Sequence, residues 1–78
     1  MSLKKVPLVE RVIKACKKER RCSRYELILW FGMGISTSYG LWSLLKTICM
    51  KGLLDDDELR CVYDDSEDVI VFEEVRKA

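Results

Sequence analysis

The chain has 78 residues, 49% hydrophobic and 35% charged, which excludes a disordered tail and leaves material for one small core. Its formal net charge of +1 hides an asymmetry: residues 1–54 carry eleven Lys/Arg against three Glu (+8), and residues 55–78 carry three against ten Asp/Glu (−7). Any nucleic-acid footprint must therefore come from the first two thirds.

Asn, Gln and His are absent altogether. Loss of thermolabile amides alongside abundant charge is a tendency of hyperthermophile proteins, so a thermophile source is expected. Lys4-Lys5 is followed by no apolar core or small-residue cleavage site, so no secretory leader is expected and the cytoplasm is the expected location.

In chain order, Pro7 suits the first turn of a helix, where a missing N–H costs nothing. Leu8, Val9, Val12, Ile13 and Cys16 then form one apolar stripe, with Arg11, Lys14, Lys17 and Lys18 largely on the other side; this helix runs to about Arg20. Ser23 and Glu26 have the spacing of a capping box opening a second helix, whose apolar run Leu27–Phe31 is broken by Gly32-Met33-Gly34. Ser36 is the expected cap of a third helix, with Thr37 and Ser38 as near equivalents. That helix carries Leu41, Leu44, Leu45 and Ile48 at i, i+3, i+4 and i+7. Gly52 stops it, and Leu53-Leu54 are expected to return to the core.

Beyond Leu54 the character changes. Asp55-Asp56-Asp57-Glu58 reads as a solvated connector, because it lacks the glycine and final glutamate of a calcium loop. Leu59-Arg60-Cys61-Val62-Tyr63 alternates with period two, Asp64-Asp65-Ser66-Glu67 reads as a turn, and Val69-Ile70-Val71-Phe72 is a second β-rich run. The fold class expected is α+β, with three helices followed by a two-stranded β-hairpin and a core over residues 7–74.

The four cysteines contain no Cys-x-x-Cys pair, and there is no histidine beside them, so neither zinc nor a catalytic thiol is expected. Cys16 and Cys61 fit as small core residues, and a disulfide remains open in any of three connectivities, as does a bridge between subunits. No Gly-rich phosphate loop is present, so the reading is no enzyme, no cofactor and no metal. Nineteen uncharged residues from Leu27 to Leu45 approach the length of a membrane span. Their central glycines and hydroxyls are explained by caps and a turn, which sets the membrane reading aside.

Gly34-Ile35-Ser36, Leu41, Leu45 and the ending Lys51-Gly52-Leu53-Leu54 resemble the winged helix-turn-helix of MarR-like and similar prokaryotic and archaeal regulators. The resemblance covers about residues 7–74. It implies double-stranded DNA as partner, transcription regulation as function and a symmetric homodimer as the working form, with the third helix in the major groove. By analogy the groove candidates are Thr37, Ser38, Tyr39, Ser43 and Lys46. Arg20, Arg21 and Arg24 are the backbone candidates, or else the balance to the acidic tail. On a helical wheel Tyr39, Ser43, Lys46 and Met50 lie opposite the apolar stripe, with Trp42 and Cys49 on a flank. The alternative is a protein-interaction module docking through Tyr39, Trp42 and Met50, residue types enriched at protein interfaces.

Overall fold

A computed structural model describes residues 7–75; Lys4-Lys5 and Arg76-Lys77 lie outside them. Pro7, with φ −56° and ψ 147°, leads into α1 (Leu8–Glu19). The helix ends where Arg20 turns left-handed at φ 65° and its N–H donates to Lys17 O at 3.2 Å. The redirected chain runs extended as β1 (Arg21–Ser23).

Ser23 caps α2 (Arg24–Phe31), its hydroxyl accepting from Glu26 N at 3.3 Å. Only this half of the expected capping box forms, since Glu26 Oε1 is buried with no hydrogen-bond partner among the described residues. Gly32 closes α2 at φ 64°, donating its N–H to Ile28 O at 2.8 Å. α3 (Ile35–Met50) follows after two more residues and starts earlier than expected: Gly34 is its N-cap, without a side-chain bond, and Ser36 is already inside the first turn. At its far end Gly52 takes φ 77°, while Gly52 N bonds Cys49 O and Leu53 N bonds Ile48 O, both at 3.0 Å. This is a Schellman ending, which needs a residue tolerant of positive φ.

The connector after α3 is tied down more than its charge suggests. Asp56 Oδ1 accepts from the N–H groups of Glu58 and Leu59 at 2.8 Å, and Asp56 Oδ2 meets Lys17 Nζ at 2.8 Å. The lysine hydrogen bond, followed by the two backbone donors, holds the Asp56 carboxyl down at about 2. Asp55 Oδ1 accepts from Cys61 N at 2.9 Å, so adjacent carboxylates anchor the chain where it re-enters the sheet.

β2 (Leu59–Asp64) and β3 (Val69–Glu74) pair antiparallel with Cys61 opposite Phe72 and Tyr63 opposite Ile70. The two-stranded hairpin of the sequence reading is incomplete, because β1 adds to the free edge of β3, with Cys22 opposite Ile70. The result is a three-stranded antiparallel sheet in the order β1-β3-β2 beside three helices. A three-residue strand has too few positions to show alternation, and β1 is held by its partner: Phe72 N donates to Arg20 O at 2.9 Å.

One sheet face and the helices enclose the core. Val12 and Cys16 of α1, Leu27 of α2, and Leu41, Trp42 and Leu45 of α3 bury against Ile70 and Phe72. Each large apolar side chain contributes about 1.5–3 kcal/mol by leaving water. The phase of α3 differs from the wheel: Trp42 and Cys49, placed on a flank, are buried, whereas Leu44, placed in the stripe, is 44% exposed. Of the two leucines expected to return to the core, Leu54 does and Leu53 is 67% exposed.

The cysteines form two disulfides, Cys16–Cys22 joining α1 to β1 and Cys49–Cys61 joining α3 to β2, with Cα separations of 5.2 and 5.5 Å. All four sit inside the core, two stitches in a chain of the size where one core gives only a few kcal/mol. The uncharged run of residues 27–45 is split by the turn at Gly32–Gly34, and no helix among the described residues is long and apolar enough to cross a membrane.

Candidate functional site

The outward face of α3 is a stripe of small groups. Ser36, Gly40, Ser43 and Thr47, at i, i+4, i+7 and i+11, are all exposed. Ile35, Tyr39 and Lys46 flank the stripe on one side, with Thr37 and Leu44 on the other. No carboxylate occurs between Glu26 and Asp55, so the face carries no negative side chain of its own. Gly34 offers no capping side chain, which leaves the first N–H groups of α3 beside the exposed hydroxyls of Ser36 and Thr37.

Of the groove candidates, Thr37, Tyr39 and Ser43 are exposed and Lys46 is half-buried at the edge. Ser38 is not on the surface at all. It is fully buried, donating to Ile35 O at 2.8 Å and accepting from Arg24 Nη1 at 3.3 Å. A serine whose hydroxyl bonds back to its own helix fills a core position like a small apolar residue. Its spacing was the signal: Ser38 lies three residues before Leu41 and seven before Leu45, on the same face.

The three arginines do not form one clamp. Arg24, at the start of α2, lies with Cζ 4.1 Å from the centroid of the Tyr39 ring, a stacked cation–π pair that holds it beside α3. Arg21 projects from the sheet face opposite the buried Cys22. Arg20 is at the other end of β1, about 13 Å away at the extended rise per residue. There its guanidinium donates to Lys17 O at 3.3 Å and pairs with Glu74 at 4.0 Å, over a cleft shared with Asp57 and Glu58. That acidic setting suits the charge-balancing alternative.

Besides the Cys49–Cys61 bridge, one carboxylate ties the hairpin to α3. Asp68 Oδ1 accepts from Trp42 Nε1 at 3.0 Å and from the Tyr63 hydroxyl. Those hydrogen bonds, the tyrosine's first, hold the Asp68 carboxyl below the usual range, with Lys46 and Arg24 adding attraction. Lys46 Nζ sits 5.4 Å from the Tyr63 ring centroid. At the tip, Asp64 accepts from both the hydroxyl and the N–H of Ser66, which lowers its pKa as well. Of the four carboxylates around the hairpin turn, Asp64 and Asp68 are thus engaged within the protein, leaving Asp65 and Glu67 directed to solvent.

Arg24, Tyr39, Trp42, Lys46, Tyr63 and Asp68 therefore form one continuous junction between the start of α2, α3 and the hairpin. Trp42 serves that junction from inside; it is 2% exposed and offers nothing to a docking partner. Chemically the assembly presents positive charge, hydroxyls and small apolar groups along a helix. No group of residues suited to holding a metal occurs among the described residues. Compared with family models, curated proteins and solved structures, the chain matches none.

Proposed function

We propose that this chain is a winged helix-turn-helix transcription regulator that binds double-stranded DNA as a homodimer. In this reading α3 lies in the major groove and the β2–β3 hairpin is the wing. The observation that carries it is the outward face of α3, with its small, uncharged stripe, no carboxylate from Leu27 to Leu54, and Arg24 and Lys46 at the rim. A groove partner must be approached closely by the helix and must neutralise phosphate, and this face meets both needs. The open N-terminus of α3, with Ser36 and Thr37 beside it, suits a phosphate oxygen. Asp68 is turned onto Trp42 and Tyr63, which draws one carboxylate of the wing against the protein. For the second protomer, α2 leaves Tyr25 64% and Leu29 60% exposed one turn apart, an apolar surface suited to an identical patch.

Fluorescence anisotropy of a labelled random duplex at two salt concentrations tests the reading. Micromolar binding that weakens steeply with salt is the expected result. Absence of binding at low salt would reject it. It would favour instead a protein-interaction module using Tyr39 and Met50, which are 58% and 66% exposed.

A further inference from the structure

We infer that α3 recognises the 5-methyl groups of thymine, so that its ligand is A·T-rich duplex DNA. This rests on the DNA-binding reading above and adds the class of target.

Major-groove discrimination ordinarily uses forked donors, Arg or Lys on guanine and Asn or Gln on adenine. The chain contains no Asn or Gln, and α3 contains no Arg. Arg24 is stacked on Tyr39 and bonded to Ser38, and Lys46 lies over Tyr63. What remains outward on α3 is hydroxyl and hydrocarbon. Hydroxyls serve any base, so they cannot discriminate. Hydrocarbon can, because only thymine shows a methyl group in the major groove. Ile35 is 67% and Tyr39 58% exposed. Thr47 is exposed as well, and its hydroxyl donates back to Ser43 O at 3.0 Å, so its methyl is the group not engaged by the helix.

Gly40 supplies an independent observation. It sits in the middle of the stripe without a positive φ, and a Cβ built there would meet nothing within 4 Å. Neither backbone nor packing requires glycine, although it weakens a helix by about a kcal/mol relative to alanine. A missing side chain that the protomer does not need gives clearance to a surface pressed against α3 from outside.

The test compares four duplexes of equal length by anisotropy: an alternating A·T sequence, the same with deoxyuridine for thymidine, a G·C sequence, and the same with 5-methylcytosine for cytosine. Thymine should bind more tightly than uracil by about fourfold per methyl buried, and 5-methylcytosine should gain over cytosine in the same sense. Equal affinity for thymine and uracil duplexes overturns the inference while leaving DNA binding intact. A thymine preference with no gain from 5-methylcytosine assigns the effect to duplex shape and also overturns it. No binding to any of the four removes the DNA reading itself. The variant Gly40→Ala should melt at a higher temperature than the parent and bind the thymine duplex several-fold more weakly. Unchanged affinity in that variant would overturn the close approach at Gly40.

Discussion

Asp68 at the base of the hairpin holds the indole N–H of Trp42, a residue buried in the middle of α3, at 3.0 Å. A buried donor that loses its acceptor keeps the desolvation penalty, about 1–3 kcal/mol. Asp68 also stands at φ 57°, where alanine is strained and asparagine is tolerated. Asp68→Ala should therefore lower unfolding stability by about 1–2 kcal/mol, and Asp68→Asn, which keeps a carbonyl oxygen, by less than half as much. Urea unfolding followed by circular dichroism, with the disulfides intact, measures both. An alanine variant as stable as the parent would mean that the Trp42–Asp68 bond holds nothing together.

The same carboxylate sets an alkaline limit. Its hydrogen bond with the Tyr63 hydroxyl, with desolvation and nearby carboxylates adding to it, pushes the tyrosine up to about 12. The folded pKa is raised above the unfolded value, so the contribution is fully present below about 10 and is lost as pH rises towards 12. A tyrosinate absorbance titration should show one late-ionising group, absent in Tyr63→Phe and moved to lower pH in Asp68→Asn. A titration identical in parent and Asp68→Asn would break the link.

Both disulfides close short loops, and each should contribute about 2–3 kcal/mol by restricting the unfolded chain. Because all four cysteines are buried, reductant alone should open them slowly, and reductant with denaturant quickly. Cys16→Ala/Cys22→Ala should loosen the α1–β1 junction, and Cys49→Ala/Cys61→Ala the junction of α3 with the hairpin. Hydrogen exchange mapped by peptide distinguishes the two. Uniform loss of protection in both variants would show that neither bridge acts locally.

How much of this could be read beforehand follows from where each signal resides. The cap at Ser23, the break at Gly32 and the stop at Gly52 are local events governed by single residues, and they occur where the sequence puts them. The alternation of Leu59, Cys61 and Tyr63 is equally local. β1 is not, because Arg21–Ser23 is a strand only through its pairing with β3. The phase of α3 is not local for a similar reason. Leu44 and Trp42 are both apolar, and only the position of the sheet and of Asp68 decides which is inside. Disulfide connectivity needed Cα separations that no spacing supplies. At the candidate site, the outward position of Tyr39, Ser43 and Met50 follows from the helical period alone, whereas the separation of Arg20 from Arg24 depends on β1 and is hidden with it.

That separation yields a direct comparison of the arginines. Arg24 is held beside α3, whereas Arg20 is paired with Glu74 and faces Asp57 and Glu58 at the other end of β1. If the proposed DNA complex places phosphate along the rim of α3, Arg24→Ala should reduce the slope of log affinity against log salt by about 1. Arg20→Ala should leave that slope unchanged, and Lys46→Ala should behave like Arg24→Ala. Loss of the Ser38 bond complicates the alanine change at position 24, so Arg24→Lys is the companion variant: it keeps the charge, loses the stacked fork and should retain the slope. A slope that falls in Arg20→Ala and not in Arg24→Ala would place the phosphate path at the acidic end of the molecule, where the charges oppose it. The rim of α3 would then need another role, because Arg24 and Lys46 would be attracting Asp68 and nothing outside the protein.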